Sequence, residues 1–339
     1  MSIVSQPPSD FGAGWPAHAP IPWPEFTREL LALYQPPLRA PGTRGRMAAI
    51  LRQVSELGAT TTADLTPALV ARWIAAQPPL APQTVYGYLA VLRAACNYAA
   101  ATGRIPVSPF AVRRKWVAKG QPTRVKRHHS AAEIARVLEL ARLTAERKRR
   151  PWSRWRAHRT FALVATVAYT GVRRNEALYL RTEDVDFAAR MILVHPGRHR
   201  LKTERAAAPV PMPDALAEVL IAWLPQLSVA GLPPGPERDP RWVFPNFERT
   251  APWTGGSVGY RPIDRVKRLG VRAGVEGFTF QSLRHSWASM AESLWGLTDL
   301  QIQRVLRHTN TRTQEGYRHP DVDNLRSLVR GITFDARTP

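Results

Sequence analysis

The sequence predicts a mainly α-helical protein of two domains with one small antiparallel sheet. Three observations carry that prediction. The chain has 339 residues, a length that suits two hydrophobic cores better than one. Apolar residues recur at helical spacing along most of it. One pair of short β-type runs, residues 191–195 and 207–210, flanks a basic turn and reads as a hairpin.

Residues 1–22 are rich in Pro and Gly and read as a flexible leader. They lack the basic-then-apolar order of a signal peptide. Residues 23–112 read as the first domain, a helical bundle with predicted helices at 25–34, 44–57, 66–76 and 84–102. Thr66 is placed to cap the third. The fourth is the clearest, because Val85, Leu89, Leu92, Cys96 and Ala99 form one stripe at spacings of four, three, four and three. Gly103 is its expected C-terminal stop, reinforced by Pro106 and Pro109.

Residues 113–129 read as an exposed basic linker, with Arg113, Arg114, Lys115, Lys119, Arg124, Lys126 and Arg127 in 17 residues and no apolar period. Residues 130–330 read as the second domain and 331–339 as a tail. Ser130 and Glu133 have capping-box spacing and open a helix to about residue 146. A second basic cluster, RKRRPWSRWRAHR at 147–159, interleaves Trp152 and Trp155, and an apolar helix follows at 161–170. After the hairpin come predicted helices at 214–224, 257–269, 282–293, 298–306, 313–317 and 322–329, with Pro320 separating the last two.

Charge narrows the partner. Lys and Arg number 48 against 26 Asp and Glu, a formal net charge of +22. Such an excess favours a polyanion, nucleic acid before an anionic membrane. No apolar run reaches the roughly 20 residues of a spanning helix. Cys96 is the only cysteine, which excludes an internal disulfide and any multi-cysteine zinc site. A cytoplasmic protein without membrane contact is the expectation.

Four short motifs follow in order: TGVRRNE (170–176), LKTE (201–204), QSLRH (281–285) and LRHTNTRTQEGY (306–317). Each alone is weak. In this order and on these elements they resemble the signature of the tyrosine recombinase, or phage integrase, family. The resemblance implies an N-terminal helical (SAM-like) core-DNA-binding domain and a mixed α/β catalytic domain closing on double-stranded DNA. It further implies a DNA-associated homo-tetramer on paired sites, a Holliday junction, no metal or other cofactor, and accessory DNA-bending or excision factors as optional partners.

By that resemblance Arg173 and Arg284 clamp the scissile phosphate. Arginine suits the task because it stays cationic and offers two parallel hydrogen bonds to two oxygens. Glu176 buttresses Arg173 from three residues on, while the adjacent Arg174 faces solvent. Lys202, in the hairpin turn, protonates the departing 5′ oxygen. His308 donates to a non-bridging oxygen, and Tyr317, nine residues further, is the nucleophile. The departure is Gln281, where the family usually has His: an amide can hydrogen-bond but cannot take up and return a proton near neutrality. His285 follows Arg284 in a supporting role.

Two other readings stay open on the sequence. A type IB topoisomerase or telomere resolvase would share such a pocket. A DNA-binding regulator of impaired or absent catalysis would account for Gln281. An RNA-binding reading lacks stacking motifs.

Overall fold

The computed structural model describes residues 19–35, 41–111, 128–195, 208–228, 241–256, 259–307 and 329–334. The chain divides into two compact units, residues 1–125 and 126–339.

The first unit is built on α1 (Trp23–Ala32), α2 (Pro41–Glu56), α3 (Pro67–Ala75) and α4 (Pro82–Ala101). Trp23, Phe26 and Leu30 fall on one face of α1, and the Trp23 indole N–H donates to the Leu51 carbonyl of α2 at 3.2 Å. Thr66 caps α3 by accepting from the Leu69 N–H. Trp73, fully buried, donates to Gln53 Oε1 at 3.1 Å. The predicted stripe of α4 is buried from Val85 to Ala99, with Ala95 beside it. Gly103, at φ 67°, takes the left-handed turn that ends that helix. The leader's last residues are not loose: Thr62 donates its backbone N–H to the Ile21 carbonyl, and Trp23 donates to the Thr60 carbonyl.

The second unit begins with α5 (Ala131–Glu146), which opens with the predicted capping box of Ser130 and Glu133. The next helix, α6 (Pro151–Thr170), starts ten residues before the expected 161. Pro151 explains the early start, since its fixed φ and missing N–H suit the first turn of a helix. The basic cluster therefore lies largely on a helix. α6 runs through the core, with Ala162 to Thr170 all buried, and ends at Gly171 in the left-handed conformation. A five-residue helix, α7 (Arg174–Leu178), follows.

The sheet has order β1-β2-β3, with β1 (Val185–Asp186), β2 (Met191–Val194) and β3 (Ala208–Pro211) antiparallel. The predicted hairpin is β2 and β3, paired Ile192 to Val210; the two-residue β1 is additional. Four further α-helices follow: α8 (Asp214–Trp223), α9 (Pro262–Arg272), α10 (Phe280–Ser293) and α11 (Asp299–Leu306). α10 packs on α6, and Trp287 donates from its indole to the Tyr169 carbonyl at 3.0 Å.

His129, expected as the linker's last residue, is buried in this unit. Its backbone N–H donates to Ser286 Oγ at 2.6 Å, its Nε2 lies 2.9 Å from Ser282 Oγ, and its ring packs on Phe278. Among the described residues no helix is long and apolar enough to cross a membrane.

Candidate active site at the junction of α6, α7, α10 and α11

Three breaks in helical structure meet at one place. Gly171 ends α6, Arg173 begins α7, and Arg307 follows α11 in the left-handed conformation. Arg284, one turn into α10, ties two of these ends together. Its Nη1 donates to the Gly171 carbonyl at 2.6 Å, and its Nη2 donates to the Leu306 carbonyl. Both acceptors are helix-terminal carbonyls without an intrahelical partner, so the guanidinium serves as a cap to two helices at once.

Gly171 is required by geometry. Its φ is 63°, and a Cβ there would stand 2.6 Å from Leu306 Cδ2 and 3.2 Å from the Trp287 ring. α10 and the end of α11 can approach the end of α6 only because no side chain intervenes.

Glu176 is buried and organises the charges. One oxygen accepts from Arg173 Nη1 at 2.8 Å, while the other accepts the Arg173 backbone N–H at 2.7 Å and also Nη2 of Arg307. Burial by itself would raise the Glu176 pKa, yet Arg307 and Arg173 hold it below the ordinary value. Arg307 is itself 5% exposed. Burial foremost, then the Arg173 charge, lowers its pKa against the pull of Glu176.

Arg284 has its pKa pushed down to about 10, first by burial and then by Arg173 and Arg307. It remains cationic at neutral pH. Two guanidinium groups thus share one carboxylate with a third close enough to feel their charge, and the excess positive charge is what an anion would neutralise. Arg173 keeps 31% of its side chain exposed, and Arg174 is exposed, as expected.

Gln281 is exposed on the first turn of α10, with its amide nitrogen 3.5 Å from His285 Nε2. The amide can donate to that ring nitrogen when it is unprotonated. Of the residues singled out in the sequence, Arg173, Glu176, Gln281, Arg284 and His285 are therefore described. Lys202, His308 and Tyr317 lie outside the described residues, as do Arg113, Arg114, Lys115, Lys119, Arg124, Lys126 and Arg127.

Arg307 and Gly171 were not singled out in the sequence. Both sit inside the quoted motifs, and nothing in their spacing marks a contact between residues so distant in the chain.

The model of the phage integrase family matches residues 137–324, more than half of the chain. The chain belongs to the phage integrase family. Among curated relatives, this integrase-family chain is 29% identical over 214 residues to a tyrosine recombinase XerD of Bradyrhizobium diazoefficiens, covering 60% of this chain and 62% of that one. It is 30% identical over 176 residues to a putative integrase/recombinase of Sinorhizobium fredii, covering 50% of this chain and 38% of the relative. The match thus spans less than two thirds of either relative.

In fold it is similar to the Tn1549 transposon integrase solved with a circular intermediate DNA, with a TM-score of 0.65 at 17% identity over 91% of this chain and 98% of that one. It is also similar to a lambda integrase dimer bound to a COC′ core site, with a TM-score of 0.59 at 15% identity, covering 91% and 78%. At such identities the likeness speaks to the fold, a mainly helical architecture with a small antiparallel sheet.

Proposed function

We propose that this integrase-family chain is a site-specific DNA recombinase that cuts and rejoins duplex DNA through a phosphotyrosyl intermediate. The observation that carries the reading is the convergence of Arg173 and Arg284, 111 positions apart (284 − 173), on one cluster around Glu176. Two fixed forks offer the donors that a phosphorane-like transition state requires on its non-bridging oxygens. Donors aimed at developing charge are worth about 2.7–4 kcal/mol each.

In the proposed reaction the Tyr317 oxygen attacks phosphorus, and the bond from phosphorus to the 5′ oxygen breaks. The phenol gives up its proton to water, and Lys202 protonates the departing 5′ oxygen, which leaves as a hydroxyl. His308 donates to a non-bridging oxygen. The 3′-phosphotyrosyl bond keeps the energy of the bond it replaced, so attack by a 5′ hydroxyl rejoins the strand without a nucleotide. Gln281 hydrogen-bonds near the nucleophile through its amide, and its contact to His285 sets the direction in which that amide points.

The proposal extends to the partners. The first helical unit and the basic linker grip duplex DNA, four protomers hold two sites, and exchange proceeds through a Holliday junction in the cytoplasm.

The test uses suicide duplexes, nicked beside each candidate cleavage position and tiled across the DNA that flanks the coding gene. Wild type is expected to form a protein–DNA adduct that survives denaturant, and Tyr317→Phe to form none. A second reading, a DNA-binding regulator without catalysis, is favoured by Gln281. It prevails if wild type binds these duplexes tightly yet forms no adduct on any of them.

A further inference from the structure

The basic cluster at 147–159 has no part in the chemistry above, and the fold divides it. Arg159 turns inward and is buried. Its guanidinium lies 3.7 Å from the Trp253 ring centre and 4.8 Å from that of Trp155, and it donates to the Pro245 carbonyl. Arg156 turns the other way, into a cleft of about 310 Å³ between α5, α6 and α9.

Four more cations line that cleft: Lys148 beyond the end of α5, and Arg265, Arg268 and Arg272 from α9. Spacings of three and four put the three α9 arginines on one helical face. No Asp or Glu lines the cleft. Among the described residues none of the five cations has an ion-pair partner; Asp264 is engaged with Arg261 and the Gly259 N–H. Glu248 lies in a neighbouring cleft of about 520 Å³, which shares Arg156 and Tyr260.

Arg156 is held by rings instead of a carboxylate. Its guanidinium carbon is 4.7 Å from the ring centre of Tyr260, 5.6 Å from Trp152 and 5.7 Å from Phe247. Arg265 shares the Tyr260 ring at 4.9 Å. Ring stacking fixes a guanidinium while leaving its charge uncancelled. The crowding is felt within the cleft, since burial first, and then Arg156 and Arg268, lower the Arg265 pKa. A fold that only needs solubility intersperses charges of both signs. Here like charges are gathered, and an anion would relieve their repulsion.

We propose that this cleft is a second phosphate-binding site, which seats the backbone of duplex DNA away from the scissile phosphate. It rests on the recombinase reading for the identity of the duplex. From Arg265 to Arg272 α9 rises about 10 Å, a length over which one DNA strand carries about three phosphates. A free phosphate would engage only part of that row. The cleft also lies about 20 Å along α6 from Gly171, by the rise of a helix, so it holds DNA without entering the chemistry.

The experiment compares full-length wild type with the double variant Arg156→Gln/Arg265→Gln in binding a labelled duplex over a range of potassium chloride concentrations. Adduct formation on a suicide duplex is measured at saturating protein. The double variant is expected to lose about tenfold or more in affinity, and its slope of log affinity on log salt to fall by about 2. Adduct yield at saturation should be unchanged, and the melting temperature without DNA unchanged or higher. Should this pair misfold, Arg268→Gln/Arg272→Gln, both on exposed positions of α9, takes its place.

Equal affinity and equal salt slope in wild type and variant would overturn the cleft while leaving the recombinase reading intact. If wild type binds no duplex at all, the recombinase reading falls and the cleft with it. Inorganic phosphate and phosphatidylserine vesicles are the other probes. If either binds wild type and not the variant, with duplex binding the same in both, the site serves free phosphate or a membrane and the proposal fails.

Discussion

Glu176 and Arg307 form a buried ion pair although 131 positions separate them in the chain. The same carboxylate holds Arg173, which starts α7. One acid therefore fixes both the first arginine of the cluster and the residue that precedes His308. Its worth to the fold and its worth to the site can be measured separately.

Replacing the acid is the direct test of its structural share. Glu176→Gln keeps the shape and leaves Arg307 buried without a counter-charge. Breaking a buried pair from one side costs about 3–5 kcal/mol, and the retained amide carbonyl puts the expected loss near the lower figure. Denaturant titration of wild type and variant reads it. A loss within the error of extrapolation would show that the pair does not support the fold.

The same carboxyl sets a pH dependence. Its folded-state pKa lies below the ordinary 4.5. A depressed acid contributes stability that is complete above the unfolded value and is lost as pH falls through the folded one. The stability difference between wild type and Glu176→Gln should be constant near neutrality and shrink progressively below pH 4.5. A difference that grew on acidification would reverse the assignment.

Arg307 adopts φ 53°, a conformation that costs an L-residue about 1–2 kcal/mol and costs glycine almost nothing. Arg307→Gly and Arg307→Ala both lose the ion pair, but only the alanine keeps the strain. The glycine variant should be the more stable by about 1 kcal/mol. If the two unfold together, the left-handed turn after α11 is not as described.

Gly171→Ala combines two penalties: a left-handed backbone, and a Cβ only 2.6 Å from Leu306 Cδ2. Strain and overpacking together predict a loss of about 3 kcal/mol. Because the Gly171 carbonyl accepts from Arg284, adduct formation should drop even at temperatures where the variant stays folded. Wild-type adduct rates would mean the clamp tolerates displacement of α10.

Gln281→His supplies a titratable group on the first turn of α10. Adduct formation should hold steady or speed up, and its rate should acquire a pH dependence centred near 6.5, the ordinary imidazole value. A large loss of rate would show that Gln281 does not occupy the position usually held by histidine.

Much of the architecture was legible in the sequence where burial follows a period. The stripe of α4, the capping box of α5 and the β2–β3 hairpin come from patterns of two, three or four residues. The start of α6 was not legible, because its first turns bury Trp155 and Arg159, and a buried arginine breaks an apolar pattern. Strand β1, at two residues, is too short to alternate. Within the site, Arg173 and Glu176 are neighbours on one turn and can be read as a pair. Arg307 cannot, since its partner is chosen by the packing of α11 near α7, a relation no local spacing records.

The double cap made by Arg284 has a bearing on synthesis. Its acceptors are contributed by positions 171 and 306, so the cluster is incomplete until residue 306 has left the ribosome. A nascent polypeptide that already displays its first helical unit has no assembled arginine cluster. On the proposed reading, any grip it takes on DNA precedes its capacity to cut.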